Sequence, residues 1–68
     1  MLNYHATIHD ENNCETIFEA NVVANNDGEA RSKVRKYLQN KGDFVLASET
    51  IFTMELRFGA KEGIPTID

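Results

Sequence analysis

The chain has 68 residues, a formal net charge of −4 and 41% hydrophobic residues. A single domain of this size buries only about 60% of its unfolded surface, so we expect marginal stability that oligomerisation would supplement. Cys14 is the only cysteine, which excludes an internal disulfide and fits a reducing compartment. Neither a membrane-spanning run nor the pattern of a signal peptide is present, which predicts a cytoplasmic protein without membrane contact.

The first predicted element is a β-hairpin. Residues 2–9 and residues 16–24 both alternate apolar with polar side chains, as half-buried strands do. The polar run from Asp10 to Glu15 between them predicts the turn. In both strands the inward phase is even-numbered: Leu2, Tyr4, Ala6, Ile8, Phe18, Ala20, Val22 and Ala24.

A helix of about 14 residues is predicted next. Asn26 is followed three positions later by Glu29, which is a capping-box arrangement. An apolar stripe follows, formed by Ala30, Val34, Tyr37 and Leu38, and Gly42 predicts the stop.

The last regular segment alternates with period two from Phe44 to Phe58. A strand of this length would extend about 50 Å, so we expect a bulge or bend near Ser48 and Glu49, or a break into two strands. The remaining segment contains two glycines and the only proline, counting from Gly59. Residues 60–68 are therefore predicted to be a flexible tail.

These elements predict an α+β fold of ββαβ order, in which one helix packs on a three-stranded antiparallel sheet of order 2-1-3 formed by residues 1–59. The odd-numbered face of that sheet would be open, and four aliphatic residues, Ile17, Val23, Val45 and Ile51, lie in this phase. A mixed polar and apolar open face is typical of a surface that binds a partner. The candidate partner-binding residues on it are His5, His9, Ile17, Glu19, Val23, Ile51, Thr53 and Glu55. A second copy could also add through this face or through an unpaired sheet edge.

The predicted helix carries a second candidate binding surface. Its basic residues Arg31, Lys33, Arg35 and Lys36 would supply phosphate contacts if the helix bound nucleic acid. No aromatic residue is interleaved with them to stack on bases, and the acidic excess would repel a phosphate backbone. We therefore favour a solvated face or a surface that docks on acidic protein, and nucleic acid is not an expected partner.

Catalysis, a metal and a cofactor are not expected. His5 and His9 lie four residues apart on a strand, which separates their Cα atoms by about 13 Å, too far for shared coordination. Cys14 lies in the polar turn, where nothing fixes its distance from His9 or from a carboxylate.

The stretches "FEANVVANNDGEARSKVRKYL" and "SETIFTMELRFG" give an order of strand, capped helix and long amphipathic strand. This order resembles that of small orphan proteins of phages and mobile elements, including some anti-CRISPR proteins. The resemblance implies a non-catalytic inhibitor that binds and blocks a larger host protein or complex, in the host cytoplasm if a phage encodes it. The alternative function is a nucleic-acid-binding regulator that uses the basic helix 26–41.

Overall fold

The computed structural model describes residues 1–12, 15–48 and 51–68. The elements in chain order are β1 (Leu2–Asp10), β2 (Thr16–Ala24), α1 (Asp27–Asn40), α2 (Phe44–Ser48), β3 (Phe52–Phe58) and β4 (Thr66–Ile67). The predicted α+β class is confirmed.

The strands form one mixed sheet of order β3-β1-β2-β4. Strand β1 is antiparallel to both β2 and β3, whereas β4 pairs with β2 in parallel. The predicted three-stranded antiparallel sheet of order 2-1-3 is therefore wrong, because a fourth strand joins the outer side of β2. This strand was missed because it is only two residues long and follows a glycine and a proline.

Helix α1 begins and ends as the sequence predicts. The Asn26 side chain accepts a hydrogen bond from the backbone N–H of Glu29 at 2.8 Å, which satisfies a donor of the first turn. At the other end Gly42 has φ of 83°, a left-handed conformation that a residue without Cβ adopts at little cost. Within the predicted stripe Ala30, Val34 and Leu38 are buried, and Tyr37 is half-buried against the core.

The segment from Phe44 to Phe58 is not one extended strand. Residues 44–48 form helix α2, which buries Leu46 and Ala47, and the strand begins only at Phe52. Two adjacent buried residues suit a helical turn and not a half-buried strand, whose side chains alternate between faces. The predicted bend near Ser48 and Glu49 falls partly outside the described residues, because Glu49 is not among them.

The core lies between the even-numbered face of the sheet and the two helices. Its largest fully buried side chains are Tyr4, Ile8, Val22, Val34 and Leu38. Three even-numbered apolar residues expected to point inward are exposed instead. Leu2 is the first residue of β1, Phe44 lies on α2, and Phe58 is the last residue of the edge strand β3.

The segment 59–65, here called the C-terminal strap, connects the two edges of the sheet. It leaves β3 at one edge and reaches β4 at the other, passing over the odd-numbered face, where the Asn21 side chain binds the backbone of Lys61. Beyond it, Ile67 pairs in register with Val22 and is buried. The segment predicted as a flexible tail is thus part of the sheet and of the core.

Candidate interaction surfaces

The C-terminal strap covers part of the face that the sequence predicts to be open. Asn21 and Thr7, both in the outward phase, are buried. Asn21 Oδ1 accepts the Lys61 N–H and Asn21 Nδ2 donates to the Lys61 carbonyl, each at 2.8 Å, while the Asn21 N–H donates to the Pro65 carbonyl. This part of the face is therefore internal structure and not a docking surface.

Two of the predicted binding residues on this face are paired with each other. His5 Nε2 lies 2.8 Å from Glu19 Oε2, and Lys61 Nζ lies 3.2 Å from the same oxygen. The hydrogen bonds from His5 and Lys61 lower the pKa of the Glu19 carboxyl. The contact between Lys61 of the strap and Glu19 of β2 holds the strap against the sheet. His5 and Glu19 therefore have a structural role.

His9 lies in a separate cluster. Its Nε2 is 3.0 Å from Glu55 Oε2 and 3.0 Å from Thr7 Oγ1, and its Nδ1 is 3.3 Å from Thr16 Oγ1. Thr53 Oγ1 donates to Glu11 Oε1 at 3.2 Å. Within the described ranges no group of three or more His, Cys, Asp or Glu side chains is placed to share a metal ion.

The aliphatic residues assigned to the open face do not form one surface. Ile17 and Ile51 are exposed, whereas Val23 is half-buried and Val45 lies on α2 and not on the sheet. The four aliphatic residues therefore do not form the apolar surface predicted for the odd-numbered face.

The basic residues of α1 also diverge. Lys33 Nζ donates to the Val23 carbonyl at 2.6 Å, and Arg31 Nη2 donates to the Met54 carbonyl at 3.3 Å. Val23 belongs to β2 and Met54 to β3, so these two cations reach towards different strands. Arg35 is half-buried and Lys36 is exposed. The four side chains do not present a single basic surface.

A groove of about 470 Å³ lies between α1 and β4. The sequence pattern did not predict this groove. It is lined by Lys33, Lys36, Tyr37 and Asn40 of the helix and by residues 66–68. It could not be anticipated because one wall is the missed strand β4. The lining contains no histidine, and Asp68 is its single carboxylate side chain.

Apart from Met1 at the N-terminus, the most exposed large apolar side chains lie on α2 and at the end of β3. Phe44 is 65% exposed, Val45 58% and Phe58 76%. The period-two pattern predicts that Phe44 and Phe58 lie in the core, because both are even-numbered. The adjacent pair of bulky residues at 44 and 45 was the signal against a strand with one buried face.

No helix in the described part of the chain is long and apolar enough to cross a membrane. Comparisons of the chain with protein families, with curated proteins and with solved structures found no match.

Proposed function

We propose that this chain is a non-catalytic protein-binding module, and that Phe44 and Val45 form its docking surface for a larger protein. The observation that carries the proposal is the exposure of these two side chains on the outer side of α2. Aromatic and bulky apolar side chains are the usual anchors of protein interfaces, where they contribute most of the affinity.

The exposure of the pair follows from how α2 is held. Leu46 and Ala47 are buried on the inner side, so the helix cannot rotate to hide Phe44 without exposing them. Asp43 caps the turn, because its Oδ1 accepts from the Leu46 N–H at 3.4 Å. Its carbonyl accepts the first helical bond, from the Ala47 N–H at 3.2 Å. An anchor that is already ordered loses less conformational entropy on binding.

The charge of the chain indicates the chemistry of the partner. The net charge is −4, and the exposed Asp43 directly precedes the docking pair. Complementary charge accelerates encounter and selects among partners. We therefore expect an apolar pocket bordered by lysine or arginine on the partner.

A chain that docks through Phe44 and Val45 would act by occupying a surface of its larger partner. This manner of action is the one that the resemblance to small phage and mobile-element proteins implies, namely the blocking of a host protein or complex. We propose it for this chain on that resemblance together with the α2 surface, and we place the action in the cytoplasm.

The alternative function, a nucleic-acid-binding regulator that uses helix 26–41, has less support. Lys33 and Arg31 each donate to a carbonyl of their own sheet, which leaves each with fewer N–H groups for contact with phosphates. A gel shift at low salt that disappears when Arg31, Lys33, Arg35 and Lys36 are changed to Ala would favour the alternative.

The proposal is tested with the double variant Phe44→Gln and Val45→Gln. Glutamine is a good helix former, and both positions are exposed, so the fold should be retained. We expect affinity capture from lysate of the source cells to recover a protein with the native chain and to lose it with the variant. Titration of the purified captured protein should show roughly a hundredfold or greater loss of affinity, because each interface anchor contributes about 2 kcal/mol.

Ile17→Thr is the matched control. Ile17 is also an exposed aliphatic residue, it lies on β2 away from α2, and threonine suits a strand. This variant should bind as the native chain does. Equal binding by the double variant, or the absence of any captured protein, would contradict the proposal.

A further inference from the structure

The outer edge of β3 is an unpaired strand edge. Gly59 N–H donates to the Asn3 carbonyl and Glu11 N–H donates to the Ile51 carbonyl, so odd-numbered residues on this side of the sheet point their backbone groups at β1. In a strand, the backbone N–H and C=O groups of successive residues point alternately to one side and to the other. The N–H and C=O groups of Phe52, Met54, Leu56 and Phe58 therefore point away from the sheet.

Neither a proline nor a β-bulge protects this edge against pairing. Strand β3 has no proline, and its register with β1 contains no bulge. Among the described residues no strand lies beyond it. The Arg31 guanidinium donates to the outward carbonyl of Met54 at 3.3 Å, a side-chain bond that a backbone N–H could replace.

We propose that a second copy of this chain pairs with this edge, β3 against β3 in antiparallel orientation, around a two-fold axis at Leu56. The outward backbone groups belong to even-numbered residues, so even-numbered residues must face even-numbered residues across the axis. The axis then passes through one residue of β3, and the charges of Glu55 and Arg57 decide which one.

The candidate axes differ in the charges that they bring together. An axis at Glu55 would place two glutamates opposite each other. An axis at Arg57 would place two arginines opposite each other. An axis at Met54 would place Glu55 opposite Thr53 of the second copy. Only the axis at Leu56, among these positions, places Glu55 opposite Arg57 of the second copy, and it does so twice by symmetry.

The same register also covers apolar side chains. Leu56 would face Leu56 of the second copy, and Phe58 would face Met54 of the second copy. Phe58 is 76% exposed in the single chain, and its ring lies beside that of Tyr4, with centroids 5.3 Å apart. The Glu55 and Arg57 side chains lie on the opposite face and are both exposed, 3.6 Å apart within one chain. The pairing would therefore bury an apolar row on one face and a charged row on the other.

The test is sedimentation equilibrium of the full chain over a wide concentration range. We expect the native chain to dimerise, and Glu55→Arg and Arg57→Glu each to weaken dimerisation by roughly tenfold or more, because each reversal places like charges opposite each other twice. The double variant Glu55→Arg and Arg57→Glu should regain native dimerisation, since the pairs are only exchanged.

Mixing the two single variants is the decisive measurement. In a mixed pair every charge at positions 55 and 57 would face its opposite, so two chains that self-associate weakly should form a 1:1 heterodimer. Glu55→Arg also removes the bond between Glu55 and His9, but this loss alone would not make the two variants bind each other. A native chain that stays monomeric, or single variants that dimerise as the native chain does, would overturn the proposal. Neither result would affect the α2 docking surface, which uses other residues.

Discussion

Among single residues, Asn21 has the largest number of bonds to the C-terminal strap. Its side chain pairs with both backbone groups of Lys61 and is 5% exposed. Asn21→Ala would remove both side-chain bonds and leave the Lys61 backbone groups without these partners. We expect a loss of about 1–3 kcal/mol in the free energy of unfolding, measured by urea denaturation.

Asn40→Ala serves as the control for Asn21. Asn40 is exposed at the end of α1, and alanine suits a helix, so its replacement should change the free energy of unfolding by less than about 0.5 kcal/mol. Similar effects of the two substitutions would show that the Lys61 clamp does not stabilise the fold.

Glu19 predicts a specific dependence of stability on pH. Its hydrogen bonds to His5 and Lys61 hold the pKa of the carboxyl below its ordinary value in the folded chain. The unfolded chain therefore takes up the proton first as pH falls, so the stabilisation by Glu19 is complete above about pH 4.3 and declines as pH falls through the lower folded pKa.

The measurement is the free energy of unfolding of the native chain and of Glu19→Gln as a function of pH. Glutamine cannot ionise, so the variant should be the less stable protein at neutral pH, and the difference should narrow below about pH 4. A difference that stays constant across this range would exclude the ionised Glu19 as its source.

The residues that sequence reasoning located correctly are those whose partners are near in sequence. Asn26 and Glu29 are three positions apart, so the cap of α1 could be predicted from spacing alone. Asn21 and Lys61 are 40 positions apart, and nothing local in either segment indicates the bond. His5 and Glu19 were assigned to a binding face for the same reason, since their pairing depends on hairpin register.

At the scale of elements, the hairpin and α1 were predictable because their periodicity is unambiguous. The segment from Phe44 to Phe58 was not, because Phe44, Leu46 and Ser48 fit a period of two as well as one short helical turn. The burial of Leu46 beside Ala47 resolves the ambiguity in favour of a helix, and it depends on packing against α1. Tertiary contacts therefore decided the structure of a segment whose local pattern fits both states.

Helix α1 also has a role in the sheet that its sequence does not indicate. Lys33 and Arg31 extend from the helix to backbone carbonyls of β2 and β3. The register places both carbonyls on the outward sides of these strands. The helix thus supplies donors to one carbonyl of each of these strands, a use of lysine and arginine that needs no external ligand.

For the whole molecule, the position of residues 60–68 determines how much of the sheet is accessible. The strap crosses the odd-numbered face, where Asn21 and Thr7 are buried. Strand β4 then pairs with the outer side of β2. The edge of β3 has no such cover among the described residues, so the two sides of the sheet differ. This asymmetry favours β3 over the β2 side as the edge for the proposed strand addition.

Removing residues 60–68 tests whether this segment belongs to the folded unit. The deletion would expose the surface that Ile67 covers and would leave the buried Asn21 amide without Lys61, which together should lower the free energy of unfolding by roughly 3 kcal/mol or more. Urea denaturation of the shortened chain measures the loss, and removal of the exposed Asp68 alone is the control. A shortened chain as stable as the full one would mean that residues 60–68 are a tail and that the face beneath them is open to a partner, because the burial of Asn21 depends on the strap.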